Sequence, residues 1–436
     1  METDRQIRRT VLTAFVAGCL LLPLGCRTVA PAAAAPAAAT NAVAAAKSEE
    51  DAYKEIRVLT KAIMIIRRHY VDADKTGYES LVHSALDGML KSLDPHSQFL
   101  EADMFQDLKD DTSGEFGGLG IVIGVRDTVL TVIAPMEDTP AFRAGILAGD
   151  RILEINSEKT DGLNVRDAVR KMRGTPGTQI TLKIQHETTT KDVTLTRDVI
   201  KVSSVKGTRI LDHGIGYVRL TQFSEPTADL LQQALDKLLK QQLRGLVLDL
   251  RNNPGGLLTS AIEVSEKFLK PSDLIVTTRG RPGAPTPPPA KARGPYHYTD
   301  FPMVILVNGG TASAAEIVSG ALQDHKRAVL VGTTTFGKGS VQSLIPIEEG
   351  LALRLTTAKY YTPSERVIHE HGIEPDIVVP VTPDEWQDVQ VQRARTETPE
   401  LFTDKEKPVN VAPVVDRQLE RAVDLLKGIL ILQERE

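Results

Sequence analysis

Met303-Val304-Ile305-Leu306-Val307-Asn308-Gly309-Gly310-Thr311-Ala312-Ser313-Ala314-Ala315-Glu316-Ile317 passes from an unbroken apolar run, through a polar turn with two glycines, into a segment of helical apolar spacing. An apolar run without polar alternation reads as a strand buried under helices on at least one face. The same grammar repeats outward from this stretch. Residues 216–220, 245–250, 274–278 and 328–331 are strand-like, and 227–239, 257–269 and 312–322 have helical spacing. The pattern predicts a βαβ core over residues 198–384. Residues 279–298 break the rhythm with Pro, Gly, Lys and Arg and are expected to form a surface excursion.

Ser313 falls where a strand should end and a helix begin. Its hydroxyl would sit at the mouth of the sheet, with helix amides near any negative charge developing on a substrate oxygen. Alone, a small hydroxyl residue after a glycine pair reads as a helix cap. Gly337-Lys338-Gly339-Ser340-Val341-Gln342 changes that balance. Lysine is ordinarily protonated and cannot accept a serine proton. Burial among apolar groups such as Phe336, without a carboxylate beside it, would lower its pKa towards working pH. Gln342 can accept a hydrogen bond from the lysine head without adding charge. The phosphate-binding pattern Gly-x-x-x-x-Gly-Lys-[Ser/Thr] is not met, since Gly339 occupies the hydroxyl position. A third piece, Leu250-Arg251-Asn252-Asn253-Pro254-Gly255-Gly256, also follows a strand. There Gly255 or Gly256 can aim an N–H at a tetrahedral oxygen, paired with the amide of Ala314.

Residues 106–197 read as a compact unit of short strands with one helix over 165–172, whose inner face carries Val165, Ala168, Val169 and Met172. Gly117-Gly118-Leu119-Gly120-Ile121 opens the first strand. Its amides can hold a chain-terminal carboxylate, while Ile121 leads an edge that a peptide could extend. With Ala141-Phe142-Arg143-Ala144-Gly145-Ile146 and Gly149-Asp150-Arg151-Ile152-Leu153-Glu154-Ile155-Asn156, the unit resembles a PDZ domain of the bacterial protease-associated kind. Residues 49–105 show helical spacing at Ile56, Leu59, Ile63 and Ile66, then at Leu81, Ala85, Leu86, Met89 and Leu90. Leu93-Asp94-Pro95-His96-Ser97 interrupts them and reads as a polar turn between helices, with His96 lacking a second ligand nearby.

Arg5, Arg8 and Arg9 precede an apolar run to Gly25, the form of an export signal over residues 1–26. Gly25-Cys26 looks like a lipoprotein cleavage point at which Cys26 would be lipidated; a plain signal peptide cut within the following alanines remains the alternative. Residues 27–48, mostly Ala, Pro, Thr and Val, are expected to be a linker. The chain has 436 residues, with 52 basic and 57 acidic ones spread along it and no basic stripe, which disfavours nucleic acid as a partner. Both cysteines, Cys19 and Cys26, precede the folded body, which excludes cysteine chemistry there. His369, Glu370, His371 and Glu374 do not repeat a zinc spacing, so no metal and no cofactor is expected. Residues 385–436 are charged and end in a helical stretch over 415–432 that could pack on the core or on a partner.

From about residue 52 to Pro380 the chain resembles the C-terminal processing peptidases, family S41, of the bacterial PDZ-containing type. The resemblance is carried by Ala-Ser-Ala-x-Glu-Ile at Ser313, Phe-Gly-Lys-Gly at Lys338, Gln342, Asn-Pro-Gly-Gly at 253–256 and Gly-x-x-Pro-Asp-Ile at 372–377. It implies a multidomain α/β protein: a helical N-terminal region, an inserted PDZ domain and a serine protease core of the crotonase-like type. Ser313 would be the nucleophile, Lys338 the base and Gln342 its support. Gly255, Gly256 and Ala314 would form the oxyanion hole. Gly118, Leu119, Gly120, Ile121, Val165, Val169 and Met172 would bind a peptide terminus, and Arg173 would couple that domain to the active site. The implied activity is endopeptidase cleavage of exported proteins near their C-terminal tails, and the signal-like segment leads to the expectation of a bacterial envelope, periplasmic location. The implied partners are tail-bound protein substrates, a second copy through the helical regions, and an envelope adaptor. Two other readings are a non-catalytic PDZ scaffold and a crotonase-like acyl-thioester enzyme. Intact Ser313, Lys338 and Gln342 argue against both.

Overall fold

The computed structural model describes residues 37–397 and 414–435, apart from 127, 137–138, 148, 187, 284–286, 294–297 and 349. Residues 1–26, which read as an export signal and contain Cys19 and Cys26, lie outside the described residues. The chain divides into residues 1–82 and 83–436.

In the first unit a helix spans Ala37–His69, so the segment 37–48 is helix rather than linker. Alanine loses no side-chain entropy in a helix, and this run is rich in it. The apolar stripe expected to face a core is largely exposed, Ile56, Leu59 and Ile66 included. Arg67 stacks on the Tyr78 ring at 3.5 Å and donates to the Thr76 carbonyl at 3.0 Å.

The second unit is built on a six-stranded sheet. Ile215–Leu220, Gly245–Asp249, Met303–Val307, Val329–Gly332 and Ile377–Val378 run parallel in that spatial order, and Val205–Ile210 closes one edge antiparallel. Successive side chains enter opposite cores. Leu246, Leu248 and Ile305 pack with the helices Thr227–Leu239, Leu258–Glu266 and Ala314–Asp324. Val247, Val304 and Leu306 pack with Ala422, Leu426 and Leu430 of the helix Arg417–Gln433. Both faces are therefore covered, which is why these strands are apolar runs. The C-terminal helix packs on the core of its own chain.

A further helix, Pro383–Glu397, was not anticipated. Its start nevertheless carries a capping signature, Thr382-Pro383-Asp384-Glu385. The Glu385 carboxylate accepts the Thr382 N–H at 2.8 Å, and the Thr382 hydroxyl accepts the Glu385 N–H at 3.3 Å. Also unanticipated is a long antiparallel ribbon, Ser340–Glu348 with Leu351–Tyr361, which extends a second sheet through Gln98–Leu100 and Leu274–Gly280.

The smaller domain is a sheet ordered Ile121–Arg126, Val129–Pro135, Arg151–Ile155, Gln179–His186, Thr189–Thr196, with the helix Val165–Met172. Asn164 caps that helix through the Asp167 N–H. Gly117 and Gly118 belong to a separate ribbon, Glu115–Gly118 paired with Asp198–Lys201, which carries the chain into and out of this domain.

Candidate active site

Parallel neighbours deliver their ends to the same edge of the sheet. Gly245–Asp249, Met303–Val307 and Val329–Gly332 therefore release Leu250–Gly256, Asn308–Ser313 and Thr333–Lys338 side by side, at the edge where open α/β sheets bind ligands. Crosslinks fix these turns to one another. Thr311 Oγ1 donates to the Leu250 carbonyl at 2.8 Å, the Ala312 N–H to the Asn253 carbonyl at 2.9 Å, and the Phe336 N–H to the Thr311 carbonyl at 2.9 Å.

Ser313 precedes the helix Ala314–Asp324 with φ 54° and ψ −116°, a conformation that side chains rarely adopt. The surroundings hold it there. Its N–H donates to Glu316 Oε2 at 2.8 Å, and the Lys338 N–H donates to that same oxygen at 2.8 Å. Glu316 Oε1 accepts from Thr335 Oγ1 at 2.5 Å and from the Gly337 N–H at 2.7 Å. This fully buried carboxylate thus binds the serine turn to the lysine turn. Burial pushes its pKa up and the four donors work the other way. Glu316 was quoted in the sequence motif without a role. A glutamate at the third position of a helix beginning on serine is the signal that points to it.

Lys338 is held below the usual lysine range, first by burial and then by Arg354, while Glu316 opposes the shift. Two sequence expectations need correction. Phe336 is 61% exposed and does not bury the lysine, and a carboxylate does stand nearby. Glu316 is taken up by four donors, so its charge is already spread over neighbouring hydrogen bonds. The glycines on either side of Lys338 instead pack against the 368–372 loop: a Cβ on Gly339 would lie 2.1 Å from the His369 nitrogen. His96 also belongs here, since burial and then the Lys338 charge lower its pKa. The turn read as a generic connection between helices is part of the site. Gln342 Nε2 donates to Thr356 Oγ1 at 2.8 Å and to Ser340 Oγ at 3.2 Å, leaving Oε1 buried with no hydrogen-bond partner.

In the third turn a Cβ on Gly255 would come within 2.7 Å of Ser313 Cβ and 2.9 Å of the Ala314 nitrogen, so only glycine fits. The Gly255 N–H itself donates to Asn253 Oδ1 at 2.9 Å, which removes it from the pair of candidate oxyanion donors. Among the described residues the N–H groups of Gly256 and Ala314 have no acceptor.

In the small domain the strand Ile121–Arg126 pairs on one side only, and the helix Val165–Met172 lies beside it. Leu119 and Gly120 present N–H groups without an acceptor among the described residues. Gly118 faces Asp198 in the separate ribbon instead. Val165 and Val169 are half-buried along the groove, whereas Met172 is packed into the core with Ala168. Arg173 ends the helix, donates to Asp107 Oδ1 at 3.0 Å and lies 4.6 Å over the Phe116 ring. It reaches the helix Ala102–Ser113, not the Ser313 or Lys338 turn.

Residues 214–379 match the family described as peptidase family S41, and residues 131–186 match the PDZ domain. A carboxy-terminal-processing protease of Bartonella bacilliformis is 45% identical over 76% of this chain and 76% of its own. A carboxyl-terminal-processing protease of Synechocystis is 40% identical over 72% of this chain and 74% of its own. Carboxy-terminal processing protease CtpA of Bacillus subtilis is 36% identical over 73% and 68% respectively. Identity of this extent across most of both chains places this one in peptidase family S41, as a PDZ-containing carboxy-terminal processing serine protease.

Proposed function

We propose that Ser313 is the nucleophile, Lys338 its general base and Gln342 the uncharged orienter of that base. The observation that carries this reading is the shared Glu316 Oε2, which accepts the N–H of both Ser313 and Lys338. Burial lowers the Lys338 pKa and so favours the neutral Nζ that takes the Ser313 proton as Oγ attacks a peptide carbonyl. The N–H groups of Gly256 and Ala314 stabilise the oxyanion. Protonated Lys338 then supplies the leaving amine, and the neutral lysine activates the water that releases the acyl group.

Substrate is proposed to arrive tail first. The unpaired N–H groups of Leu119 and Gly120 receive a terminal carboxylate, the strand Ile121–Arg126 extends by one peptide strand, and Val165 and Val169 contact an apolar last side chain. Arg173 would report that binding through the helix Ala102–Ser113. The signal-like residues 1–26 support export to a bacterial envelope, anchored at Cys26 if lipidated, and the exposed stripe of Ile56, Leu59 and Ile66 supports pairing with a second copy. An envelope adaptor is a further partner in this reading.

Ser313→Ala and Lys338→Ala should each abolish hydrolysis of an unfolded substrate while circular dichroism is unchanged. A folded variant with wild-type rate would refute the dyad. An apolar-tailed substrate should be cut with higher kcat/KM than its amidated or Asp-ended versions, and equal values would refute tail recognition.

A further inference from the structure

Through Thr356, a chain of hydrogen bonds links the Gln342 amide to Ser97 and Asp94, more than 240 positions earlier in the sequence. The strand Gln98–Leu100 pairs with the ribbon in the register Gln98↔Arg354, Phe99↔Leu353 and Leu100↔Ala352. That pairing presses the turn Leu93–Ser97 against Thr356, helped by Arg354 Nε donating to the His96 carbonyl at 3.2 Å. Within the turn, Asp94 Oδ1 accepts the N–H groups of His96 and Ser97 at 2.7 and 2.8 Å, and Asp94 Oδ2 accepts from Ser97 Oγ at 2.7 Å. Ser97 Oγ, almost fully buried, accepts the Thr356 N–H at 3.1 Å and lies 3.5 Å from Thr356 Oγ1. Across the ribbon Thr356 is the register partner of Gln342.

The polarity runs one way. Burial pushes the Asp94 carboxyl up, but hydrogen bonds from the Ser97 hydroxyl, the His96 N–H, the Thr356 hydroxyl and the Ser97 N–H bring it down to about 2. An ionised carboxylate only accepts, so the hydroxyl hydrogens of Ser97 and Thr356 are drawn towards Asp94. Thr356 Oγ1 then has only lone pairs to offer Gln342. It can bind the Nε2 end of the amide and not the oxygen end.

We propose that Asp94, Ser97 and Thr356 are positioning residues that fix the Gln342 amide so that its carbonyl oxygen, rather than its NH2, is offered to Lys338. A flipped amide would place a donor at the neutral Nζ and occupy the lone pair that must receive the Ser313 proton. It would also repel the protonated lysine. This rests on reading Lys338 as the base and Gln342 as its orienter.

The test is the pH dependence of kcat in the full chain on an unfolded protein with an apolar C-terminus. The charged and titratable groups facing Lys338 are Arg354 from the ribbon, Glu316 from the helix Ala314–Asp324 and His96 from the turn, with His369 and Asp94 beside His96. The profiles are therefore repeated in a His96→Gln background, which removes the imidazole titration. Thr356→Val should lower kcat about tenfold or more with little change in KM. It should also move the acid limb to lower pH by about one unit, because Lys338 loses an acceptor that favours its charged form. Thr356→Ser should restore both, and Asp94→Asn should behave like Thr356→Val even if the valine variant does not fold. An unchanged limb and rate overturn the proposal. So does a limb shifted to higher pH, which is what a loosened, wetter site would give. Lys338→Ala in the same assay separates the two readings. Activity there removes the base assignment itself, whereas an inactive Lys338→Ala beside a wild-type-like Thr356→Val removes only the relay.

Discussion

Glu316→Gln and Glu316→Ala should differ sharply, although either change removes the charge. Glutamine keeps one carbonyl oxygen, which can remain on the Ser313 and Lys338 N–H groups. Its NH2 then faces Thr335 Oγ1, which accepts the Ile373 N–H at 2.7 Å and has a second lone pair for the amide. The Gly337 N–H and the Thr335 hydroxyl hydrogen both lose the oxygen they share, at about 1–3 kcal/mol for each buried donor that finds no other acceptor. Alanine strips all four donors of their acceptor and leaves a void. That costs upwards of about 5 kcal/mol, comparable with the whole stability of a domain. Denaturant unfolding followed by the fluorescence of Trp386, the single tryptophan, measures the first effect, and kcat on an unfolded substrate the second. Glu316→Gln should hold kcat within about tenfold of wild type, because the tie between nucleophile and base survives. Glu316→Ala should be inactive and markedly destabilised. Equal midpoints and equal rates for the two variants would refute the idea that this carboxylate joins the serine and lysine turns.

Lys338→Met should be inactive yet no less stable than wild type at neutral pH. A lysine whose folded pKa is depressed costs stability below that folded value, and the cost fades as pH rises towards the ordinary lysine range. The gain from methionine should therefore shrink with rising pH, and a gain that grew instead would contradict burial as the cause. Arg251→Met should destabilise by about 3–5 kcal/mol. It leaves buried Asp249 without the guanidinium that, with Arg393, keeps its carboxyl well below the usual carboxylate range against the push of burial. It also frees Asp416, at the start of the C-terminal helix, from the residue next to the Asn252–Gly256 turn. A denaturation midpoint unchanged from wild type would show that the network contributes nothing net.

Much of the core could be read locally because the parallel strands are unbroken apolar runs, and 303–307 was bounded correctly for that reason. The ribbon Ser340–Glu348 with Leu351–Tyr361 escaped notice since much of its first strand is exposed and its residues follow no clean alternation. Ser313 and Lys338 stand out because glycine-containing turns after strand ends are where a parallel sheet presents chemistry, and Gln342 because it follows the lysine by four residues and adds no charge. Sequence shows a glycine at 255 but not where its N–H points, which is towards Asn253 rather than an oxyanion. Helical spacing puts Met172 on the same face as Val165 and Val169 but cannot distinguish a groove wall from the core in which Met172 sits.

The sequence by itself determined the strand and helix periods, the three turns that carry the candidate chemistry and the PDZ-like pattern, since each depends on residues within a few positions of one another. Tertiary structure alone decided what those turns meet. It brought Lys338 to the Ser313–Glu316 turn, docked the C-terminal helix through Asp416 on Arg251, and laid Asp94 and Ser97 against Thr356. Each of these is a polar pairing between distant segments whose partners are ordinary turn or surface residues when read locally, and only burial in the folded chain makes the pairing obligatory.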